Sequence, residues 1–112
     1  MNTASMNFGP PLTDVNVEQA TRLAETFRLM GDPSRLRIIL VCAAAPTSVN
    51  DIADRLGIAQ SSVSHHLRLL RSARLVRAER RGKQVFYCLA DSHVHSVIAD
   101  MLEHVMEPRE PI

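Results

Sequence analysis

Four side chains that can bind a divalent metal ion stand in two pairs near the end of the sequence. Asp91 and His93 form the first pair, and His104 and Glu107 form the second. Two imidazoles and two carboxylates without a thiolate favour a tetrahedral Zn²⁺ site, for which Co²⁺ is a possible substitute. Ni²⁺ is the second choice because it prefers six ligands.

The spacing of the pairs decides how such a site could form. His93 and His104 are eleven residues apart, which is about 16 Å along one helix, so they cannot share a metal ion whose bonds are about 2 Å long. In two copies packed antiparallel across a two-fold axis, the first pair of one chain lies beside the second pair of the other. We therefore predict two Zn(II) sites per dimer, each between subunits. The alternative is that Asp91 caps a helix and the others are polar surface residues, although capping and ligation can coexist.

A strongly cationic segment precedes these residues. Residues 60–84 carry a net charge of +6, whereas residues 85–112 carry −4. Cations bind DNA phosphates, and short polar side chains on a helix read base edges in the major groove. The candidate DNA contacts on a predicted helix are Gln60, Ser61, Ser62, Ser64, His65 and Arg68, and those on a predicted hairpin are Arg77, Arg80, Arg81 and Lys83. The alternative is that the arginines form a solvated surface.

Apolar residues at steps of three and four predict the helices that position these side chains. The first spans residues 17–30, the second opens with Asp32 as N-cap and ends before Pro46, and the third follows an N-cap at Ser48. A glycine-containing turn leads to a fourth helix from residue 60, which is the helix-turn-helix pattern. Residues 75–79 and 84–89 predict a hairpin with a turn at residues 80–83, and a last helix spans residues 91–107.

These elements predict a mainly α fold with a small β-hairpin, in the order α-α-α-α-β-β-α. A chain of 112 residues is long enough for one domain. We expect a flexible N-terminal arm over residues 1–14, the folded domain over residues 15–108 and a short tail over residues 109–112. The apolar stripe of the last helix is wider than one small domain covers, which predicts a homodimer.

Three stretches resemble the ArsR/SmtB family of winged-helix metal-responsive repressors. They are GDPSRLRI at residues 31–38, LGIAQSSVSHHL at residues 56–67 and RGKQVFY at residues 81–87. The resemblance covers about residues 15–108 and implies a winged helix-turn-helix homodimer, paired through its first and last helices on palindromic double-stranded operator DNA. Ala59 departs from the usual pattern, since a Ser, Thr or Asn would cap the recognition helix there.

The spacing Asp-x-His-x10-His-x2-Glu is similar to the last-helix site of the zinc-sensing branch of this family. The resemblance implies a repressor that binds its operator when metal-free and is released by Zn(II), which derepresses zinc efflux or sequestration genes. Two other functions stay open: a thiol- or redox-responsive regulator, and a metal-insensitive winged-helix regulator with a structural metal at its interface.

Other classes of protein fit the sequence less well. No apolar run reaches the roughly 20 residues of a membrane span, and two cysteines are too few for a disulfide framework, so we expect a cytoplasmic protein. No nucleophile elbow or phosphate-binding glycine loop indicates an enzyme. We expect Cys42 and Cys88 to be small buried hydrophobic residues, His66 to pack against the core and His95 to be exposed.

Overall fold

The computed structural model describes residues 12–109, and the elements follow the predicted order. Residues 1–11 of the predicted arm and 110–112 of the predicted tail lie outside the described residues. A short 3-10 turn at Leu12–Asp14 precedes the helices. The main elements are α1 (Val17–Met30), α2 (Pro33–Ala44), α3 (Val49–Leu56), α4 (Gln60–Ser72), β1 (Val76–Arg81), β2 (Gln84–Leu89) and α5 (Ser92–Met106).

Short polar side chains start most of the helices. The Asp32 carboxylate accepts a hydrogen bond from the Arg35 backbone N–H at 3.0 Å, and the Ser48 hydroxyl accepts one from Asp51 N–H at 3.2 Å, which confirms both predicted caps. Helix α1 also has a capping box, in which Asn16 and Gln19 each accept from the other's backbone N–H. No side chain caps α4 at Ala59, as the sequence predicts.

A tight turn joins α3 to α4. Gly57 ends α3 in the left-handed region at φ +66°, where a side chain would be strained, and its N–H donates to the Ala53 carbonyl at 2.9 Å. Only residues 58 and 59 separate this turn from α4, so the two helices form the predicted helix-turn-helix.

The hairpin has a shorter turn than the sequence predicts. Strand β1 extends to Arg81, with Arg80 opposite Val85 and Arg81 opposite Gln84, so these arginines belong to the strand. The turn is limited to Gly82 and Lys83, and Gly82 takes φ +63° at its first position. The two-residue turns whose twist matches that of the flanking strands require a positive φ at their first position. Glycine adopts this conformation without strain. The basic side chains do not prevent strand pairing, because their backbone groups make the ladder.

A second backbone pairing holds the outer edge of the hairpin. Tyr87 N–H donates to the Thr47 carbonyl at 2.8 Å, and Thr47 N–H donates to the Tyr87 carbonyl at 3.0 Å. On its other side Tyr87 pairs with Ala78 of β1. The loop between α2 and α3 therefore fixes β2 from outside the hairpin.

The core is aliphatic, in agreement with an aromatic content of only 4% in the sequence. Its fully buried side chains come from α2, α3, α4 and the start of β1. They are Ile38, Ile39, Ile52, Val63, Leu67, Leu70 and Val76. By contrast, α5 has no buried residue, although Val94 and Ile98 are half-buried against the core. None of the helices within residues 12–109 is both long and apolar enough to cross a membrane.

Helix α4 ends in a Schellman motif with an arginine at the position that glycine usually occupies. Leu75 N–H donates to the Leu70 carbonyl at 2.9 Å, and Arg74 N–H donates to the Arg71 carbonyl at 3.0 Å. Arg74 takes φ +60° and is the only non-glycine residue with positive φ within residues 12–109. Burial of Leu70 and Leu75 supports this conformation.

We predict that Arg74→Gly stabilises the fold. The left-handed conformation costs an L-residue about 1–2 kcal/mol, and the greater freedom of glycine in the unfolded chain offsets part of that, so the free energy of unfolding should rise by about 0.5–1 kcal/mol. Urea denaturation measures the change. Ala73→Gly is the matched control, because Ala73 has φ −86° and gains nothing from glycine. A loss of stability in Arg74→Gly would contradict the assigned strain.

Candidate functional site

Helix α4 has a buried apolar side and an exposed polar side. Val63, Leu67 and Leu70 are at most 2% exposed. All six DNA contacts predicted on this helix are exposed: Gln60, Ser61, Ser62, Ser64, His65 and Arg68. The structure therefore brings these side chains together on one solvent-facing surface.

The two adjacent histidines of α4 have different surroundings. His65 is exposed, whereas His66 is half-buried and its Nδ1 atom is buried without a hydrogen-bond partner within residues 12–109. Burial lowers the pKa of His66, and the nearby Asp32 carboxylate opposes this effect. His66 is therefore half-buried near Asp32, at the start of α2, which agrees with the predicted structural role.

An acidic side chain holds two of the four predicted hairpin cations. Glu79 makes ion pairs with Arg81 at 2.8 Å and with Arg77 at 3.4 Å. These hydrogen bonds, with the Arg81 bond as the largest cause, lower the pKa of Glu79. The Arg81 guanidinium also lies 5.3 Å from the centre of the Phe86 ring. Arg80 and Lys83 are exposed, and neither makes an ion pair in the part of the chain that the structure describes.

A cleft separates the recognition helix from the hairpin. It has a volume of about 430 Å³ and is lined by Ser64, Leu67, Arg68, Arg71, Ser72 and Tyr87. Neither Arg71 nor Tyr87 is among the DNA contacts predicted from the sequence. Arg71 has a recognisable signal, because Ser64, Arg68 and Arg71 follow helical spacing on the exposed side. Tyr87 has none, because the strand pairing that places it beside α4 is long-range.

The four predicted metal ligands lie at opposite ends of α5, and all four are exposed. Asp91 is the N-cap of α5, and its Oδ1 accepts from Val94 N–H at 3.0 Å. Glu107 lies at the other end, one residue beyond the helix. Within residues 12–109 of a single chain, no three His, Cys, Asp or Glu side chains come together to hold a metal ion. The site between two subunits stays a prediction.

Both cysteines lie in the interior, as predicted for small hydrophobic residues. Cys42 is 2% exposed and Cys88 is 8% exposed, and both are free thiols. Burial raises the pKa of Cys42 to about 12, and the neighbouring Cys88 adds to the effect. Because the thiolate is the reactive form, this environment opposes thiol chemistry at Cys42.

We predict that Cys42 is protected from thiol reagents in the folded protein. With a pKa of about 12, only about one thiol in 10⁵ is ionised at pH 7, and the side chain is also covered. In the Cys88→Ala variant, the remaining thiol should react with a disulfide reagent orders of magnitude more slowly in buffer than in guanidinium. Equal rates in the two solvents would show that the thiol is accessible.

Comparisons with known proteins agree with this arrangement. A family profile described as "Bacterial regulatory protein, arsR family" matches residues 32–78. A protein named "Transcriptional repressor SmtB homolog" from Synechocystis sp. is 41% identical over 93 residues, which cover 83% of this chain and 70% of the relative. The "HTH-type transcriptional regulator NmtR" of Mycobacterium tuberculosis is 35% identical over 94 residues, which cover 84% of this chain and 78% of that protein.

A solved structure supports the fold. The winged helix-turn-helix domain of Mb0332 from Mycobacterium bovis superposes with a TM-score of 0.78 and 22% identity, over 93% of this chain and 99% of that chain. The description of that domain calls it homodimeric and DNA-binding. For the present chain, the superposition shows the winged helix-turn-helix architecture.

Proposed function

Because the chain belongs to the arsR family of bacterial regulatory proteins, we propose that it is a dimeric, zinc-responsive transcriptional repressor. In this proposal the metal-free dimer binds a palindromic operator, and Zn(II) releases it, which derepresses zinc efflux or sequestration genes. The protein acts by binding rather than by catalysis. The observation that carries the DNA-binding part is the exposed polar side of α4 beside a cationic hairpin.

Each DNA-facing element has a distinct role. Arg68 is a candidate for bidentate pairing with guanine and Gln60 for pairing with adenine. Arg80 and Lys83, which are exposed outside the Glu79 ion pairs, supply charge to flanking phosphates and carry no base information themselves. Sequence preference therefore comes from α4, and much of the affinity comes from the hairpin.

The dimer is supported by apolar surface that one chain leaves uncovered. On α1, Leu23 is 54% exposed and Phe27 is 49% exposed, and on α5, Met101 is 52% exposed and Val105 is 71% exposed. Contiguous apolar patches on a small protein mark interaction surfaces. Helices α1 and α5 are the two through which the sequence resemblance implies pairing, so we propose that a second copy covers them.

The donor chemistry of α5 fits zinc only when two chains combine. Each chain offers an Asp91/His93 pair at one end and a His104/Glu107 pair at the other, all exposed. The cap hydrogen bond of Asp91 uses only Oδ1. Its Oδ2 atom makes no hydrogen bond within residues 12–109 and is available to bind a metal ion. We propose that the two pairs from different chains hold Zn(II), at two sites per dimer, with Co(II) as a substitute and Ni(II) as the second choice. A bound Zn²⁺ would supply a fixed link between side chains of the two subunits.

The regulation follows from linkage between two binding equilibria. Successive major grooves on one side of DNA are about 34 Å apart, and the two α4 helices of a dimer must match this distance to bind. If the ligand pairs meet only in a dimer shape with a different separation of the α4 helices, zinc binding and DNA binding oppose each other. The coupling is reciprocal and is typically about 1–3 kcal/mol, so operator DNA must weaken zinc binding by the same factor.

The direct test is an anisotropy titration of labelled DNA from upstream of the protein's own gene. The purified protein should bind this DNA in the presence of a chelator and release it when excess Zn²⁺ is added. Tight binding that ignores zinc would favour a metal-insensitive regulator. Failure to bind in either condition would overturn the operator assignment.

We predict that His104→Gln removes the zinc response and keeps DNA binding in chelator, because His104 lies on α5 and not on α4 or the hairpin, which carry the proposed DNA contacts. His95→Gln is the matched control, since His95 is an exposed histidine of the same helix outside the proposed ligand set. The control should keep both the DNA affinity and the zinc response. An unchanged zinc response in His104→Gln would remove this residue from the site.

We predict that Glu79→Gln tightens binding to DNA of any sequence. The change removes a negative charge from the hairpin and releases Arg77 and Arg81 from their ion pairs. Affinity should rise several-fold, and the slope of log K against log salt concentration should steepen by about one. Glu103→Gln on α5 gives the same charge change away from the hairpin and should leave the slope unchanged. If both variants change the slope equally, net charge alone accounts for the effect.

A further inference from the structure

The cleft between α4 and the hairpin adds the donors of Arg71 and Tyr87, which have no proposed role in base reading, to the guanidinium of Arg68. Arg68 and Arg71 line it from the exposed side of α4, and Tyr87 lines it from β2. The floor is Leu67, which is 2% exposed. The cleft volume of about 430 Å³ leaves room for a group larger than water.

The charge of the cleft selects the class of ligand. Neither arginine forms an ion pair with any acidic side chain of residues 12–109, and no acidic residue lines the cleft. The Ser72 hydroxyl donates to the Arg68 carbonyl at 2.9 Å, so its hydrogen is already used. Two guanidinium groups and a phenol hydroxyl remain as donors, which favours an oxyanion ligand.

The backbone holds Tyr87 more firmly than a typical hairpin residue. Its N–H and carbonyl pair with Thr47, and the strand ladder places it opposite Ala78. Thr47 is itself buried, at 4% exposure. The Tyr87 side chain also packs half-buried against the core, so it has little conformational entropy to lose when its hydroxyl forms a hydrogen bond.

We propose that this cleft seats one phosphodiester group of the DNA backbone, with Arg71 and the Tyr87 hydroxyl as its donors. This inference rests on the proposed DNA-binding function. It adds a contact that fixes the position of one DNA strand between the recognition helix and the hairpin. Arg71 lies two turns along α4 from Ser64, beyond the first turns that meet base edges. Phosphate contacts of this kind position a protein without reading sequence.

A DNA phosphate fits the cleft better than a free phosphate ion. Both arginines are exposed, and exposed charges bind small anions weakly because water and salt screen them. A phosphate in a DNA backbone is held in place by the other contacts of the interface. The open cleft therefore suits a group delivered as part of a polymer.

The test compares three variants of the 112-residue chain by DNA anisotropy over a series of salt concentrations. Tyr87→Phe removes only the hydroxyl and should weaken binding about tenfold on operator and unrelated duplex alike, with an unchanged salt slope. Arg71→Gln should weaken both and reduce the slope by about one. Arg37→Gln is the control, because Arg37 is an exposed arginine of α2 outside the cleft.

A fluorescence measurement separates the two sources of phosphate. Tyr87 is the only tyrosine and the protein has no tryptophan, so its emission reports on the cleft alone. Duplex DNA should change this emission after absorbance correction. Inorganic phosphate at the same ionic strength should not change it.

Each outcome bears on a different claim. Wild-type protein that binds no duplex would overturn the proposed function together with the proposed phosphate contact in the cleft. If the wild type binds DNA and the Tyr87→Phe and Arg71→Gln variants bind it with the same affinity, the proposed phosphate contact is overturned and the proposed function is left intact. A saturable response of the wild-type emission to inorganic phosphate that Arg71→Gln abolishes would make the cleft a free-anion site. Equal thermal unfolding midpoints for Tyr87→Phe and the wild type would exclude misfolding as the cause of weaker binding.

Discussion

The packing of α4 on the interior is the constraint on which the exposed surfaces depend. Val63, Leu67 and Leu70 lie against a core that includes Ile38 and Ile39 of α2. Burying three such aliphatic side chains contributes about 5–8 kcal/mol, which is comparable to the net stability of a whole small domain. Rotating α4 about its axis would expose these side chains and unfold the protein. The polar side of α4 is therefore held toward solvent.

The same packing places the hairpin. Leu75 and Val76 continue the chain from α4 into the core, and the left-handed Arg74 makes the sharp change of direction between them and the helix. Thr47 then fixes the far edge of β2 by backbone hydrogen bonds. The recognition helix and hairpin are thus held at one relative position, and a DNA strand that contacts both must match their separation.

Local patterns account for the parts of the fold that the sequence predicted. Helical periodicity, the caps at Asp32 and Ser48 and the glycine at residue 57 act over a few residues, so they can be read directly. The turn length and the Tyr87 pairing were missed, because strand ladders depend on residues that are distant in sequence. Arg74 was missed for a different reason: the left-handed position favours glycine, and burial of Leu70 and Leu75 overrides that preference. The predicted metal site depends on an arrangement of two chains that local patterns do not encode, since its ligand pairs lie at opposite ends of α5.

Incomplete burial of α1 and α5 links the fold to the proposed regulation, because the same surfaces would form the dimer and bring the ligand pairs together. Zinc binding by mixed dimers of His93→Gln and His104→Gln tests this directly, with a competing chelator to count tight sites. In a mixed dimer, one site lacks both imidazoles and the other is intact. Each variant alone should therefore bind no tight zinc, and mixing should restore about one tight site per mixed dimer. A mixture that binds no more tight zinc than the separate variants would contradict a site shared between subunits.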